Sequence, residues 1–210
     1  MDDLKQRSEN HQPKGWHDRG YLPHFDGGEI CQFVTIHLGD SMPVSVWRRW
    51  KLQLEAEKDE VAKVLLYDRF EKYLDEGYGE CFLKRPKIAE IVEESLIHFD
   101  GERYKLRAWV IMPNHLHFMI TPMPSFELSD IIQKLKSFTS HKANKLLNRQ
   151  GKFWQEDYFD RYIRDFEHYE NTIAYIKNNP VKARLCRQAS DWRFGSARFL
   201  NNSTQKLESP

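Results

Sequence analysis

Apolar and polar positions change period several times along the chain, and each change marks an element. Ile30-Cys-Gln-Phe-Val-Thr-Ile-His-Leu38 alternates and is β-branched, which predicts a strand. Beyond Pro43 the period lengthens to that of a helix from about Val46 to Leu74, densely charged on one face, until Gly77-Tyr-Gly79 breaks it. Pro86 opens a second helix with Ile88, Ile91, Val92 and Leu96 at core-facing spacing. Trp109 to Met112 and Leu116 to Ile120 are two strand-like runs joined by Pro113-Asn114, a hairpin. Ser129 or Asp130 is then expected to cap a helix to about Leu147, with Leu135, Thr139, Ala143 and Leu146 on one side, closed by Asn148-Arg-Gln-Gly151. Phe159 to Ile163 predicts a further strand, and Phe166 to Asn179 a last helix that Pro180 should stop.

Strand, helices, strand, strand, helix, strand, helix is the β-α-β-β-α-β plan of a ferredoxin-like α+β sandwich. An extra helix precedes its second strand and a helix is appended at its end. An antiparallel sheet with helices on one face is expected. Residues 1–20 read as a polar arm, 21–198 as a single domain and 199–210 as a disordered tail.

Composition narrows the function only a little. Apolar residues make up 40% and charged residues 30% of the 210, as in ordinary globular proteins, and no apolar run approaches a membrane span. The formal charge of +1 implies no polyanionic partner for the molecule as a whole, so a nucleic-acid footprint must be local. Such a footprint exists: between Gln133 and Lys152 the chain carries Lys134, Lys136, Lys142, Lys145, Arg149 and Lys152 and no acidic residue. On a helical wheel Lys134, His141, Lys145 and Arg149 cluster away from the apolar side, as a solvated face or a grip on a phosphate backbone. Arg161, Arg164, Lys177 and Lys182 are candidates to extend that surface. Phe153, Trp154 and Tyr158 are either base-stacking platforms or core. Cys31, Cys81 and Cys186 are odd in number and far apart, which reads as reduced thiols of a cytoplasmic protein.

Two features carry chemistry. His115 and His117 lie two apart on a strand, so both imidazoles share a face while Leu116 enters the core. They are half of a metal site or two solvent-side histidines. On the last helix Phe166, Tyr169, Ile173 and Ile176 form an apolar stripe. Tyr175 falls outside it, one turn below Asn179, as surface decoration or a working phenol.

Taken together, Met112-Pro-Asn-His-Leu-His-Phe118 and Tyr175-Ile-Lys-Asn-Asn-Pro-Val-Lys-Ala183 resemble the single-tyrosine HUH transposases, and within them the REP-associated tyrosine transposase branch. Leu74-Asp-Glu-Gly77, Phe153-Trp-Gln155 and Asp191-Trp-Arg-Phe-Gly-Ser196 extend the likeness from about Gly20 to Ala197. The resemblance implies that His115, His117 and Asn179 bind a divalent cation, Mg²⁺ or Mn²⁺, and that Tyr175 is the nucleophile. It implies strand transfer on single-stranded or hairpin DNA through a 5′-phosphotyrosine. The local basic charge makes Lys134, His141, Lys142, Lys145, Arg149 and Lys152 the expected DNA contacts. No nucleotide cofactor or membrane is expected, and the protein would be a monomer or homodimer. A catalytically silent nucleic-acid-binding regulator on the same fold is the alternative. A hydrolytic zinc enzyme is weaker, because no Asp/His cluster adjoins the His pair in sequence.

Overall fold

Strand β3 (Gln32–His37) is buried along its whole length, although its sequence alternates as if one face were wet. The reason is that both faces of the sheet are covered. The computed structural model, which describes residues 15–18 and 23–201, places β3 between β5 (His115–Pro122) and the short β6 (Phe159–Tyr162); β4 (Tyr104–Ile111) closes the far edge. All pairings are antiparallel, in the order β4-β5-β3-β6, which is the ferredoxin-like order expected.

Helices α3 (Pro86–Ile97) and α4 (Leu128–Leu146) cover one face. Ile88, Val92 and Leu96 of α3 and Ile131, Leu135 and Ala143 of α4 pack on Val34, Ile36, Leu116, Phe118 and Ile120. Trp154 donates its indole N–H to Thr139 Oγ1 at 2.8 Å, pinning the strand approach to α4. The expectation of helices on one face holds for these two only. The charged region after Pro43 forms two helices, α1 (Val44–Ala56) and α2 (Glu60–Asp75), and these lie with α5 (Phe166–Lys182) on the opposite face. Their buried residues Trp47, Phe70 and Leu74 cluster with Phe159, while Ile176 of α5 packs on Phe33, Val110 and Met119. Polar positions of β3 on that face, Thr35 and His37, are therefore enclosed and find side-chain partners instead of water.

Several boundaries differ from expectation. Part of the predicted N-terminal arm is ordered: β1 (Gly15–Asp18) pairs with β2 (Pro23–Asp26) as a small hairpin. It is fastened to β6 through His24, whose ring lies against Asp157 at 2.9 Å and Asp160 at 2.5 Å and stacks on Tyr158. The rest of that arm, and the tail beyond residue 201, lie outside the described residues. Helix α4 starts at Leu128 after Glu127, with no side-chain cap from Ser129 or Asp130, and Leu146 is 49% exposed.

Helix α5 runs through Pro180 to Lys182. A proline keeps the helical φ and forfeits only its own donor, so the turn survives where flanking bonds are made. Ala183 N–H reaches Asn179 O at 2.9 Å, and Arg184, at φ +58°, ends the helix with Leu185 N–H bonded to Pro180 O. The face of α5 turned to the sheet includes Thr172, Ile176 and Asn179, whereas Phe166, assigned to the apolar stripe, is 66% exposed.

Candidate active site

The β4–β5 turn delivers the His pair. Met112 N–H donates to His115 O across Pro113-Asn114, so His115 opens β5 and His117 follows on the same face. Both rings are fully buried at 0% exposure, which excludes the reading of solvent-side histidines. In the β3 register His37 stands opposite His115 and Thr35 opposite His117, and directly opposed residues share a face.

Hydrogen bonds settle which nitrogen of each imidazole faces inward. His115 Nδ1 lies 2.7 Å from Asn114 Oδ1, and the amide is oriented by its own Nδ2 donating to Tyr78 O at 3.1 Å. An amide oxygen only accepts, so Nδ1 carries the proton and Nε2 keeps its lone pair. Gly79 makes this contact attainable. Its φ is +90°, and a Cβ there would fall 2.8 Å from Asp40 O, so only glycine lets the loop carrying Tyr78 close over Asn114. Around His117 a chain runs from Nδ1 to Thr35 Oγ1 at 2.8 Å and from that hydroxyl to Glu71 Oε1 at 3.1 Å. With Thr35 donating to the carboxylate, His117 Nδ1 donates to Thr35, and Nε2 again presents a lone pair.

These lone pairs meet oxygen, not donors. His117 Nε2 stands 3.0 Å from Glu71 Oε2 and His115 Nε2 stands 3.8 Å from Asp75 Oδ1, yet neither nitrogen has a hydrogen-bond partner. Glu71 and Asp75 are one turn apart on α2, and facing α5 supplies a partner to each. The Tyr175 hydroxyl donates to Glu71 Oε2 at 3.1 Å, and Lys182 Nζ lies 3.4 Å from Asp75 Oδ2. Asn179 sits between Tyr175 and Lys182 in α5, fully buried, with both Oδ1 and Nδ2 unpartnered. Its burial shows that the helix side outside the apolar stripe, where periodicity puts Tyr175 and Asn179, is enclosed at this end. Tyr175 is half-buried, its ring 5.5 Å from His117 and 5.9 Å from Phe33.

The electrostatics follow from burial. Desolvation holds His115 well below its ordinary pKa, so it stays neutral at neutral pH. Burial, then the Glu71 and Asp75 carboxylates, push the Tyr175 phenol far above its usual value. For Glu71 burial works upward, but the neighbouring His117 and the hydrogen bonds from Tyr175 and Thr35 outweigh it and keep the group a carboxylate. His37 is lowered to about 4 by burial; its Nδ1 contacts Ser41 Oγ at 2.7 Å.

A divalent cation fits this donor set. Ligand atoms of His115, His117 and Glu71 all lie within 4.8 Å of one another, and buried lone pairs without donors are what a small hard cation satisfies. Glu71 and Asp75 were not foreseen as site residues. They are 40 or more positions upstream of the His pair, and only their one-turn spacing and the fold bring them to it. The cluster said to be lacking beside the His pair is thus supplied from α2.

The expected DNA contacts are not at this site. Helix α4 lies across the sheet from α5, so Lys134, His141, Lys142 and Lys145 are exposed on the far side. Lys134 and Lys142 line a groove of about 520 Å³ with Phe138, His98 and Arg103. Arg149 donates to Lys152 O at 3.0 Å at the end of the helix. Of the residues expected to extend this surface, Lys182 belongs to the tyrosine side instead. Phe153, Trp154 and Tyr158 are buried core.

Residues 84–179 match the family described as Transposase IS200 like, the family that the chain's motifs resemble. It is 28% identical over 109 residues to the REP-associated tyrosine transposase of Escherichia coli (strain K12), a match covering 51% of this chain and 63% of that relative. The solved structure of a REP-associated tyrosine transposase bound to a REP hairpin shares the fold, with a TM-score of 0.53 and 18% identity over 92% of this chain and 90% of that one.

Proposed function

We propose that the protein is a metal-dependent single-stranded DNA endonuclease and strand transferase that works through a 5′-phosphotyrosine at Tyr175, on hairpin-forming repeat DNA. The observation that carries this is the convergence at one point of two inward lone pairs, His115 Nε2 and His117 Nε2, with the hydroxyl of Tyr175. His115, His117 and Asn179 hold the cation, Mg²⁺ or Mn²⁺. When bound, it polarises the scissile phosphate and offsets charge on its oxygens.

The chain's own residues do the rest. Thr35 and Asn114 fix both imidazole tautomers before any substrate arrives, so no reorganisation is needed at the moment of reaction. Tyr175 Oη forms a bond to phosphorus and the P–O3′ bond breaks in line. One proton leaves the phenol and one arrives on the departing 3′ oxygen. The phosphotyrosine conserves the phosphodiester energy, so rejoining to another 3′-hydroxyl needs no nucleotide cofactor. Attack requires the Tyr175–Glu71 hydrogen bond to open, because the phenol is tied to a carboxylate and its proton is held tightly. Lys182, 5.2 Å from the Tyr175 ring, adds a cation beside the incoming phosphate.

Hairpin repeats are the substrate supported by the relative's name and by the hairpin in the solved homologous complex. DNA backbone contacts are assigned to Lys134, His141, Lys142, Lys145, Arg149 and Lys152. A flanked hairpin oligonucleotide, labelled at either end, tests the reading. Cleavage that requires Mg²⁺ or Mn²⁺, frees a 3′-hydroxyl and leaves the 5′ side attached to protein is expected. Cleavage that leaves both ends free of protein, or binding with no cleavage at all, contradicts it.

A further inference from the structure

We propose that Glu71 is a further protein ligand of the cation and at the same time the residue that holds Tyr175, so that ion and phenol compete for one carboxylate oxygen. The inference rests on the metal-dependent reading above and adds to it a residue outside the family match, which begins at residue 84.

Three observations carry it. First, Glu71 Oε2 stands 3.0 Å from His117 Nε2 without forming a hydrogen bond. The Thr35 relay leaves that nitrogen a lone pair, and a lone pair facing a carboxylate oxygen is unfavourable until something positive lies between them. Second, the same Oε2 accepts the Tyr175 hydroxyl at 3.1 Å, whereas Oε1 is taken by Thr35. An ion on Oε2 therefore draws on the electron density that the phenol uses. Third, Glu71 is buried on a rigid helix, between Phe70 and Leu74 of the α1–α2 core, so its carboxylate has little room to retreat from either partner. Filling of the site loosens Tyr175 from Glu71, and the nucleophile is released only where an ion is present to assist the reaction. Glu71 is a positioning residue for the tyrosine and a ligand toward the metal.

The test titrates the full chain with Mn²⁺ in the absence of DNA and reads free Mn²⁺ by electron paramagnetic resonance. Glu71→Gln keeps the shape and removes the charge, and is expected to weaken Mn²⁺ binding by about tenfold or more. Tyr175→Phe removes the competitor and is expected to tighten binding, roughly three- to thirtyfold for a hydrogen bond to a charged group. His115→Ala serves as the reference for the site and is expected to lose binding. If His115→Ala loses binding while Glu71→Gln and Tyr175→Phe both match the wild type, the proposal is overturned and the metal site stands without Glu71. If all three bind Mn²⁺ as the wild type does, the ion is elsewhere and both readings fall. Should Glu71→Gln fail to fold, the sign of the Tyr175→Phe change alone decides: tighter binding upholds shared use of the oxygen, unchanged or weaker binding refutes it.

Discussion

The Tyr175 hydroxyl donates to Glu71 Oε2 at 3.1 Å, joining helix α5 to helix α2 across the His115–His117 strand. One contact thus ties the tyrosine proposed as nucleophile to a helix that lies outside the family match. Around it the buried polar groups are ordered on one side and unsatisfied on the other. The Nδ1 atoms of both histidines are paired, whereas both Nε2 atoms and the Asn179 side chain are not. Buried polar atoms left in that state are costly in a folded chain, and their clustering at one point marks a place built for a ligand.

Metal binding is therefore expected to stabilise the protein. Mn²⁺ at about 100 times its dissociation constant should add about 2.7 kcal/mol to the unfolding free energy of the wild type. His115→Ala and His117→Ala should lose that increment, while their stability in chelator changes by no more than about 2 kcal/mol. Thermal or urea unfolding with and without Mn²⁺ measures both numbers. A wild type indifferent to the ion would remove the site from the account.

The basic helix α4 gives a prediction about salt. Each phosphate contact contributes a slope of roughly −0.7 on single strands and −0.9 on duplex DNA. Lys145→Glu with Arg149→Glu should weaken binding to all hairpins about equally and flatten the salt dependence by roughly one to two units. Preference between two hairpins should survive, since backbone contacts position and base contacts specify. A double mutant that keeps its salt slope but loses discrimination would mean that this helix reads bases. An unchanged affinity would move the DNA to the tyrosine side of the sheet, which α4 does not share.

The N-terminal hairpin carries a pH dependence. Burial alone would lower His24, but Asp157 and Asp160 outweigh it and raise its pKa from 6.5 to about 9. A raised folded-state value means stability that is fully present below about pH 6.5 and lost as the pH rises through about 9. The increment is on the order of 3 kcal/mol. Urea unfolding between pH 6 and 10 should show the wild type losing this amount, whereas His24→Gln should be lower at pH 6 and nearly flat. Parallel curves would assign no charge to His24.

How far the sequence revealed this molecule depended on whether the signal was local. The β-α-β-β-α-β order, the shared face of His115 and His117, and the breaks at Gly77-Tyr-Gly79 and Asn148 to Gly151 follow from period and turn chemistry, and the structure has them. Three things lay beyond such signals. Helix α5 passes Pro180 because its C-terminal bonds are made by Ala183 and Leu185, downstream of the proline. Asn179 is buried although it lies outside the apolar stripe, because a helix that buries polar side chains has no clean stripe for periodicity to read. Glu71 and Asp75 looked like two more charges on a dense helix surface, and only the packing of α2 beside α5 makes them neighbours of the histidines.

On the proposed mechanism Tyr175 becomes covalently joined to the 5′ phosphate of cleaved DNA. The most direct test is proteolysis and mass spectrometry of the wild-type protein after incubation with a hairpin oligonucleotide bearing a single-stranded flank and Mn²⁺. A nucleotide-bearing peptide with the modification on Tyr175 is expected, absent in chelator and absent in Tyr175→Phe, whose hairpin affinity stays within about twofold because only the nucleophilic oxygen is gone. A modification on Tyr158, Tyr162 or Tyr169, or an adduct that persists in Tyr175→Phe, would contradict it.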